Sequence, residues 1–333
     1  MKVLFIGGTG LISTACASLA VEKGIQLTLL NRGTSMRPTV HGANLLQANV
    51  HDPASLRTAL AGQDFDAVVD WIAFTPEDIQ RDIDVFKGKT GQFVFISSAS
   101  AYQTPASNLP IRESTLLENP FWEYSRNKIA CEELLVREYR TNKFPFTIVR
   151  PSHTYDQTAV PVEGGYTVID RMLKGKPVIV HGDGTSIWTL THNTDFAKGL
   201  IGLLGNLRAR GETFHITSDE WLTWNQIYLT LAEAAGVTPQ LVHIPSDLIA
   251  AYDSATGDSL LGDKAHCAIF DNTKIKQVVP EFSATTPFAR GAEQIIAWHQ
   301  ADPARQKTDP AFNDLCERLL TNYQKAWPEN SQA

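Results

Sequence analysis

Met1-Lys2-Val3-Leu4-Phe5-Ile6-Gly7-Gly8-Thr9-Gly10-Leu11-Ile12-Ser13 joins a short apolar run to a glycine turn, and an alanine-containing segment follows. A continuous apolar run bounded by glycines reads as a strand buried on both faces, and the segment after it reads as a helix. Glycines in a strand-to-helix turn let the chain reverse tightly and let a pyrophosphate approach the amides at the positive helix end. The stretch therefore reads as the start of a dinucleotide-binding βαβ unit, with Gly7, Thr9, Gly10, Leu11 and Ile12 against the cofactor. The third glycine of the usual spacing is Ser13, which adds a side chain where the helix packs on the strand.

Outward from this turn the alternation repeats. Strands are expected over residues 2–6, 26–31, 43–50, 67–73, 93–98 and 146–150, and helices over 11–23, 53–61, 76–86 and 123–141. Several of the strands are continuous apolar runs, as expected when helices cover both faces. The pattern is α/β, a doubly wound parallel sheet of Rossmann-like type. After Arg150 it loosens, and stretches rich in Gly, Pro, Thr and Asp separate shorter elements. A helix over 195–204 and a strand over 213–217 are expected to return to the first sheet. The dinucleotide-binding domain is thus expected over 1–155 plus roughly 193–235. A second, smaller, discontinuous substrate lobe is expected over roughly 156–192 and 236–327, with helical character over 287–327 and a frayed tail at 328–333. Residues 103–122 show no clear periodicity, and a loop of that length reads as part of a substrate pocket or lid.

Composition excludes several classes. The 333 residues are 43% hydrophobic and 20% charged, which fits neither a disordered nor a fibrous chain. Lys and Arg number 29 against 36 Asp and Glu, a net charge of −7 that argues against nucleic acid as the main partner. No apolar run approaches the ~18 residues of a membrane span, and the N-terminal apolar run is shorter than a signal peptide's. The four cysteines form no CxxC pair and the nine histidines no HExxH motif, so no metal is expected. A cytoplasmic protein with free thiols is the simplest expectation.

Three further patterns carry chemistry. The second strand ends in Asn31-Arg32 where an acidic residue would bind the ribose 2′-hydroxyl of NAD. Without that carboxylate, Arg32 can meet a 2′-phosphate, which favours NADP over NAD. Tyr124 and Lys128 share a helix face at i and i+4, where a nearby ammonium would lower the phenol's pKa from ~10 and make Tyr124 a proton donor or acceptor. Tyr139 and Lys143 repeat this spacing. Tyr139 lies 15 residues further along, however, about 22 Å from the strand ends where ligands of open α/β sheets sit, and it reads as a packing residue. The strand Phe93-Val94-Phe95-Ile96 runs into Ser97-Ser98-Ala99-Ser100-Ala101-Tyr102 at the same edge, where a hydroxyl can bind a substrate oxygen.

Taken together, the glycine turn, the serine-rich strand end, Tyr-x-x-x-Lys, Arg150-Pro151 and Gly182-Asp183-Gly184-Thr185 resemble the extended short-chain dehydrogenase/reductase family, and within it the NAD-dependent epimerase/dehydratase branch. The resemblance runs in order over roughly residues 1–235. It implies Ser98, Tyr124 and Lys128 as the catalytic set: Tyr124 exchanges the hydroxyl proton, Lys128 tunes Tyr124 and holds the nicotinamide ribose, and Ser98 orients the substrate oxygen. The implied reaction moves a hydride between NAD(P) and a secondary hydroxyl or ketone of a sugar-like substrate. The implied assembly is a homodimer paired through the helix that carries Tyr124.

The departures matter equally. Family 4,6-dehydratases carry Asp-Glu after the catalytic Thr, where this chain has Ala99-Ser100. Nucleotide-sugar epimerases clamp the substrate pyrophosphate with an Arg where this chain has Trp188, and carry an Asn where it has His153. His153, Tyr155, Trp188 and His192 are the expected substrate contacts. Epimerase and NADPH-dependent reductase of a ketone or aldehyde on a non-nucleotide substrate both remain open. From another class, chloroplast stem-loop RNA-binding proteins of this fold share Asn31-Arg32-Gly33, against which the acidic balance weighs. A redox-sensing regulator would not need Tyr124 and Lys128.

Overall fold

The computed structural model describes residues 1–34 and 37–327; the expected tail at 328–333 lies outside the described residues. In chain order the first half contains β1 (Lys2–Ile6), α1 (Leu11–Glu22), β2 (Gln26–Asn31), β3 (Asn44–Gln47), α2 (Pro53–Ala59), β4 (Ala67–Asp70), α3 (Pro76–Phe86), β5 (Phe93–Ile96), α4 (Glu123–Asn142), β6 (Phe146–Pro151) and β7 (His153–Tyr155). There follow α5 (Tyr166–Leu173), β8 (Val178–His181), β9 (Ile187–Trp188), β10 (Leu190–His192), α6 (Asn193–Leu203), β11 (Glu212–Ile216), β12 (Leu222–Thr223), α7 (Trp224–Ala234) and β13 (Leu241–Ile244). The last part is helical: α8 (Ser246–Tyr252), α9 (Ser254–Ser259), α10 (Thr273–Val278), α11 (Phe288–Gln300) and α12 (Pro310–Lys325).

Seven parallel strands form the central sheet in the order β11-β6-β5-β4-β1-β2-β3. The order reverses beside β1, and an open α/β sheet binds its ligand at such a switch point. Alternate residues of each strand feed opposite faces. Val3 and Phe5 pack with Cys16 and Ala20 of α1 and Phe196 and Leu200 of α6, while Leu4 and Ile6 pack with Leu56, Ile83 and Leu135 of α2, α3 and α4. Ile275, Val279 and Phe282 join the first of these cores. A separate core gathers Val168, Val180, Trp188, Trp224, Leu231 and Ile295.

Three expected strands run past the observed ladders, and the side chains give the reason. β4 stops at Asp70 because its Oδ1 accepts the amides of Ile72 and Ala73 at 2.6 and 2.7 Å. That turns residues 71–73 out of the sheet. β5 stops at Ile96, and Ser98 then caps a 3₁₀ turn at Ala99–Ala101 by accepting the Ser100 amide. β3 pairs only as far as Asn31↔Gln47. The helical stretch near the C-terminus is two helices, α11 and α12, with Asp302 and Asp309 each capping a new start. No helix among the described residues is long and apolar enough to cross a membrane.

Candidate active site

A cleft of about 490 Å³ lies over the carboxyl ends of β1, β4, β5 and β6, lined by Gly7, Thr9, Gly10, Leu11, Ile12 and Lys128 among others. A neighbouring hollow of about 530 Å³ shares Gly7, Thr9, Ile72 and Phe74 with it and reaches Asn31 and Arg32. All the sequence-predicted cofactor residues thus lie along one continuous floor. Gly8 is obligatory here: its φ is +98°, and a Cβ would come within 2.7 Å of Leu29. Ser13, in place of the third glycine, is buried and its Oγ accepts the Gly10 amide at 2.8 Å. This leaves the first-turn amides of Leu11 and Ile12, which have no intrahelical acceptor, for an anionic group. The backbone cradle and its length fit a dinucleotide.

At the far end Asn31 Oδ1 accepts the Gly33 amide at 2.8 Å, and Gln47 Nε2 donates to the Arg32 carbonyl at 3.1 Å. These contacts fix the loop and leave the exposed Arg32 side chain on the rim of the hollow. His51 and Asp78 line the same hollow and carry no sequence signal. Asp78 is occupied, accepting the Phe74 and Thr75 amides and pairing with Arg81 at 2.9 Å.

On the other side of the sheet edge is a cavity of about 280 Å³, lined by Ser98, Tyr124, His153 and Trp188 together with Asp263 and Lys264. Tyr124 and Pro151 line both this cavity and the cleft, so the phenol stands where the two meet. Residues 103–122 contribute Gln103, Thr104, Ala106, Ile111 and Trp122 to the wall.

Ser98 Oγ lies 2.9 Å from Ser100 Oγ and accepts the Ser100 amide, while Ser125 donates to Ser100 Oγ at 2.7 Å. With Ser100 taking a proton from Ser125 and passing its own to Ser98, the Ser98 hydroxyl is left free to donate into the cavity. Lys128 Nζ donates to the carbonyls of Ala73 and Ile96 at 2.7 and 2.9 Å and stands 5.7 Å from the Tyr124 ring. Burial pulls its ammonium down to about 8. The Tyr124 phenol differs from expectation: it is pushed up from its ordinary value, chiefly by burial, with Asp263 adding to the rise and the Ser98 hydroxyl opposing it. Desolvation outweighs the effect expected of a neighbouring ammonium, because Lys128 directs itself at two backbone carbonyls.

The four expected substrate contacts divide. His153 and Trp188 line the cavity. His153 is held neutral, pulled down to about 3 by burial and then by the Lys264 charge. Tyr155 is buried, packing edge-on against His192 and Phe288, and does not line the cavity. His192 faces a different hollow, where its ring nitrogens meet Thr194 and Gln294. The two are directly paired, Tyr155 of β7 with His192 of β10, and lie at the far end of that short ladder from His153.

Asp263 and Lys264 carried no sequence signal. They lie on a π turn, Leu260–Lys264, closed by the Ala265 amide bonding back to the Leu260 carbonyl at 2.8 Å. Asn119 holds this turn against the loop before α4. Its Nδ2 donates to the carbonyls of Ser100 and Gly262, and its Oδ1 accepts the Trp122 amide. Gly262 permits the approach, since a Cβ there would come within 2.8 Å of Trp122.

The chain is 26% identical over 257 residues to the Arabidopsis thaliana chloroplast stem-loop binding protein of 41 kDa b, covering 73% of this chain and 65% of that protein. It is 26% identical over 251 residues to 2′-dehydrokanamycin reductase of Streptomyces kanamyceticus, covering 74% of this chain and 70% of that one. Among solved structures, the Bacillus cereus UDP-glucuronic acid 4-epimerase in complex with UDP-glucuronic acid and NAD superimposes with a TM-score of 0.71 at 18% identity, covering 90% of this chain and 99% of that one. The family model for the NAD dependent epimerase/dehydratase family matches residues 3–217, and the chain belongs to that family.

Proposed function

We propose that the chain is an NAD(P)-dependent oxidoreductase or epimerase, acting between a secondary hydroxyl and a ketone of a sugar-type substrate with Tyr124 as proton donor and acceptor. The observation that carries this reading is that Tyr124 lines both the dinucleotide cleft and the substrate cavity. A bound nicotinamide dinucleotide supplies the hydride chemistry. The chain supplies position and the proton. Ser98 directs its free O–H at the substrate oxygen, Tyr124 gives or takes the proton at that oxygen, and Lys128, anchored on two carbonyls, holds the ribose and the charge beside the phenol. A positively charged, oxidised cofactor held in the cleft would favour the phenolate of Tyr124, against the burial that raises its pKa.

In this reading residues 1–155 with 193–235 carry the dinucleotide and 156–192 with 236–327 shape the substrate side, except that α7 (Trp224, Leu231) packs in the second core and Ile275, Val279 and Phe282 pack against the sheet. NADP is favoured over NAD through Arg32, and two chains pair through α4. Similarity to the stem-loop binding protein supports a second reading, binding of structured RNA. The test is Tyr124→Phe: turnover should collapse while dinucleotide affinity stays within about twofold, since only the proton path is removed. Unchanged turnover, or tight salt-sensitive RNA binding by a chain that takes no dinucleotide, would overturn the assignment.

A further inference from the structure

Resting on that reading, the geometry points to a phosphate-free polyol as the substrate, held by Asp263 through a hydroxyl or ammonium close to the reacting carbon. The cavity holds about 280 Å³, at the lower edge of the ~300–1,000 Å³ typical of small-molecule sites, and the charges around it select what can enter. A nucleotide sugar brings a pyrophosphate, and a doubly charged anion taken out of water needs cations to replace its hydration. Among the described residues that line the cavity there is no arginine, and Lys264 is the one permanent cation.

Lys264 is already committed. Its Nζ donates to Ser259 Oγ at 3.0 Å and pairs with Glu163 Oε1 at 3.3 Å, with Asp263 Oδ2 further off at 3.8 Å. Its side chain is 8% exposed, so it cannot swing to another partner without leaving Glu163 uncompensated. Two carboxylates face this one ammonium, and the two imidazoles of the wall add no charge, both His153 and His266 being lowered by burial. The local balance is negative. A phosphate placed here would be opposed, while a donor group would be attracted.

Asp263 is the group with capacity to spare. Among the described residues no side-chain hydroxyl or backbone amide bonds its carboxylate, and its contact with Lys264 is the longest of that ammonium's three. It lines the cavity and its charge is felt at Tyr124, so it faces the space where the substrate's neighbouring carbon would lie. Burial pushes its carboxyl up to about 6, with the Lys264 charge opposing the rise and Glu163 adding to it. Trp122 and Trp188, also in the wall, offer flat faces for a ring.

The experiment is a titration of the full chain saturated with NADPH, reading the nicotinamide fluorescence. The probes are UDP-glucose, glucose, myo-inositol, glucosamine and 2-deoxystreptamine. Saturable binding of one or more of the last four, with none by UDP-glucose, is expected. Asp263→Asn should then weaken that binding about tenfold and leave NADPH affinity unchanged. Binding by the amines alone identifies an ammonium as the anchored group; binding by glucose or inositol identifies a hydroxyl. Saturable UDP-glucose binding, failure of all four polyols to bind, or an Asp263→Asn variant with undiminished polyol affinity overturns the inference. Loss of activity in Tyr124→Phe with any of these results would leave the underlying oxidoreductase reading standing, so the two fail separately.

Discussion

The cleft over the strand ends is built around the glycine turn Gly7–Gly10 and the start of α1, whereas the cavity on the other side of Tyr124 gathers residues from widely separated stretches, among them Ser98, Trp122, His153, Trp188 and Asp263. In the cleft, recognition comes from a glycine turn, a helix start and two strand ends, which are features of conformation. In the cavity the proposed recognition rests on the identity of Asp263, Lys264, His153 and two tryptophans, with Glu163 pairing Lys264 from behind. A backbone cradle accepts one kind of ligand whatever decorates it. A side-chain cavity can be rewritten by a few substitutions while the fold stays the same. The difference teaches where family membership ends as a guide: it speaks for the cleft and is silent on the cavity.

The comparison breaks most severely at the residue both regions share. Tyr124→Phe should lower turnover by about 10²–10⁴, the usual worth of a positioned acid or base, with cofactor titration unchanged. On the cleft side, Gly8→Ala forces a Cβ within 2.7 Å of Leu29 at a φ of +98°. The strain and overpacking together should cost about 2–4 kcal/mol, read as a lower urea midpoint and weaker dinucleotide binding. Wild-type binding in this variant would show that the turn is not the cradle. Arg32→Ala should reduce NADPH affinity about tenfold and NADH affinity little, because a charge-assisted contact to the 2′-phosphate is lost. Equal losses for both cofactors would remove Arg32 from the choice between them.

The smallest effect sharpens the cavity side. The Asp263 carboxyl, facing Lys264, Glu163, Tyr124 and the two imidazoles, titrates at about 6 in the folded chain against 3.8 for the model carboxyl. Folding therefore favours its protonated form, and that stabilisation is complete below pH 3.8 and lost as the pH rises through 6. Asp263→Asn should accordingly have a higher Tm than the wild type at pH 8, with the advantage shrinking towards pH 4. A lower Tm at pH 8 would mean that Asp263 is a structural partner of Lys264 rather than a carboxylate held in reserve for substrate.

What could be read from the sequence follows the same division. Apolar runs and glycines placed β1, β2 and α3 at their observed bounds and α1 within one residue, because a buried strand and a capped helix are local patterns. The expected cofactor residues meet along one floor for the same reason. The ends of β4 and β5 were missed, since they are set by Asp70 and Ser98 bonding the amides that follow them. Tyr155 and His192 were misplaced because their neighbours, Phe288 for Tyr155 and Gln294 for His192, come from α11, far along the chain. Asp263 and Lys264 could not be found at all: a π turn has no sequence signature, and its approach to Tyr124 depends on Asn119 and Gly262, more than a hundred residues apart.

The most direct measurement is a calorimetric titration of the full chain with NADPH and with NADH. The account predicts saturable binding of about one dinucleotide per chain, NADPH the tighter, with binding sharply weakened in Gly8→Ala. Absence of saturable binding by either dinucleotide would contradict it, for the cleft would then be a feature of the fold with no cofactor to serve.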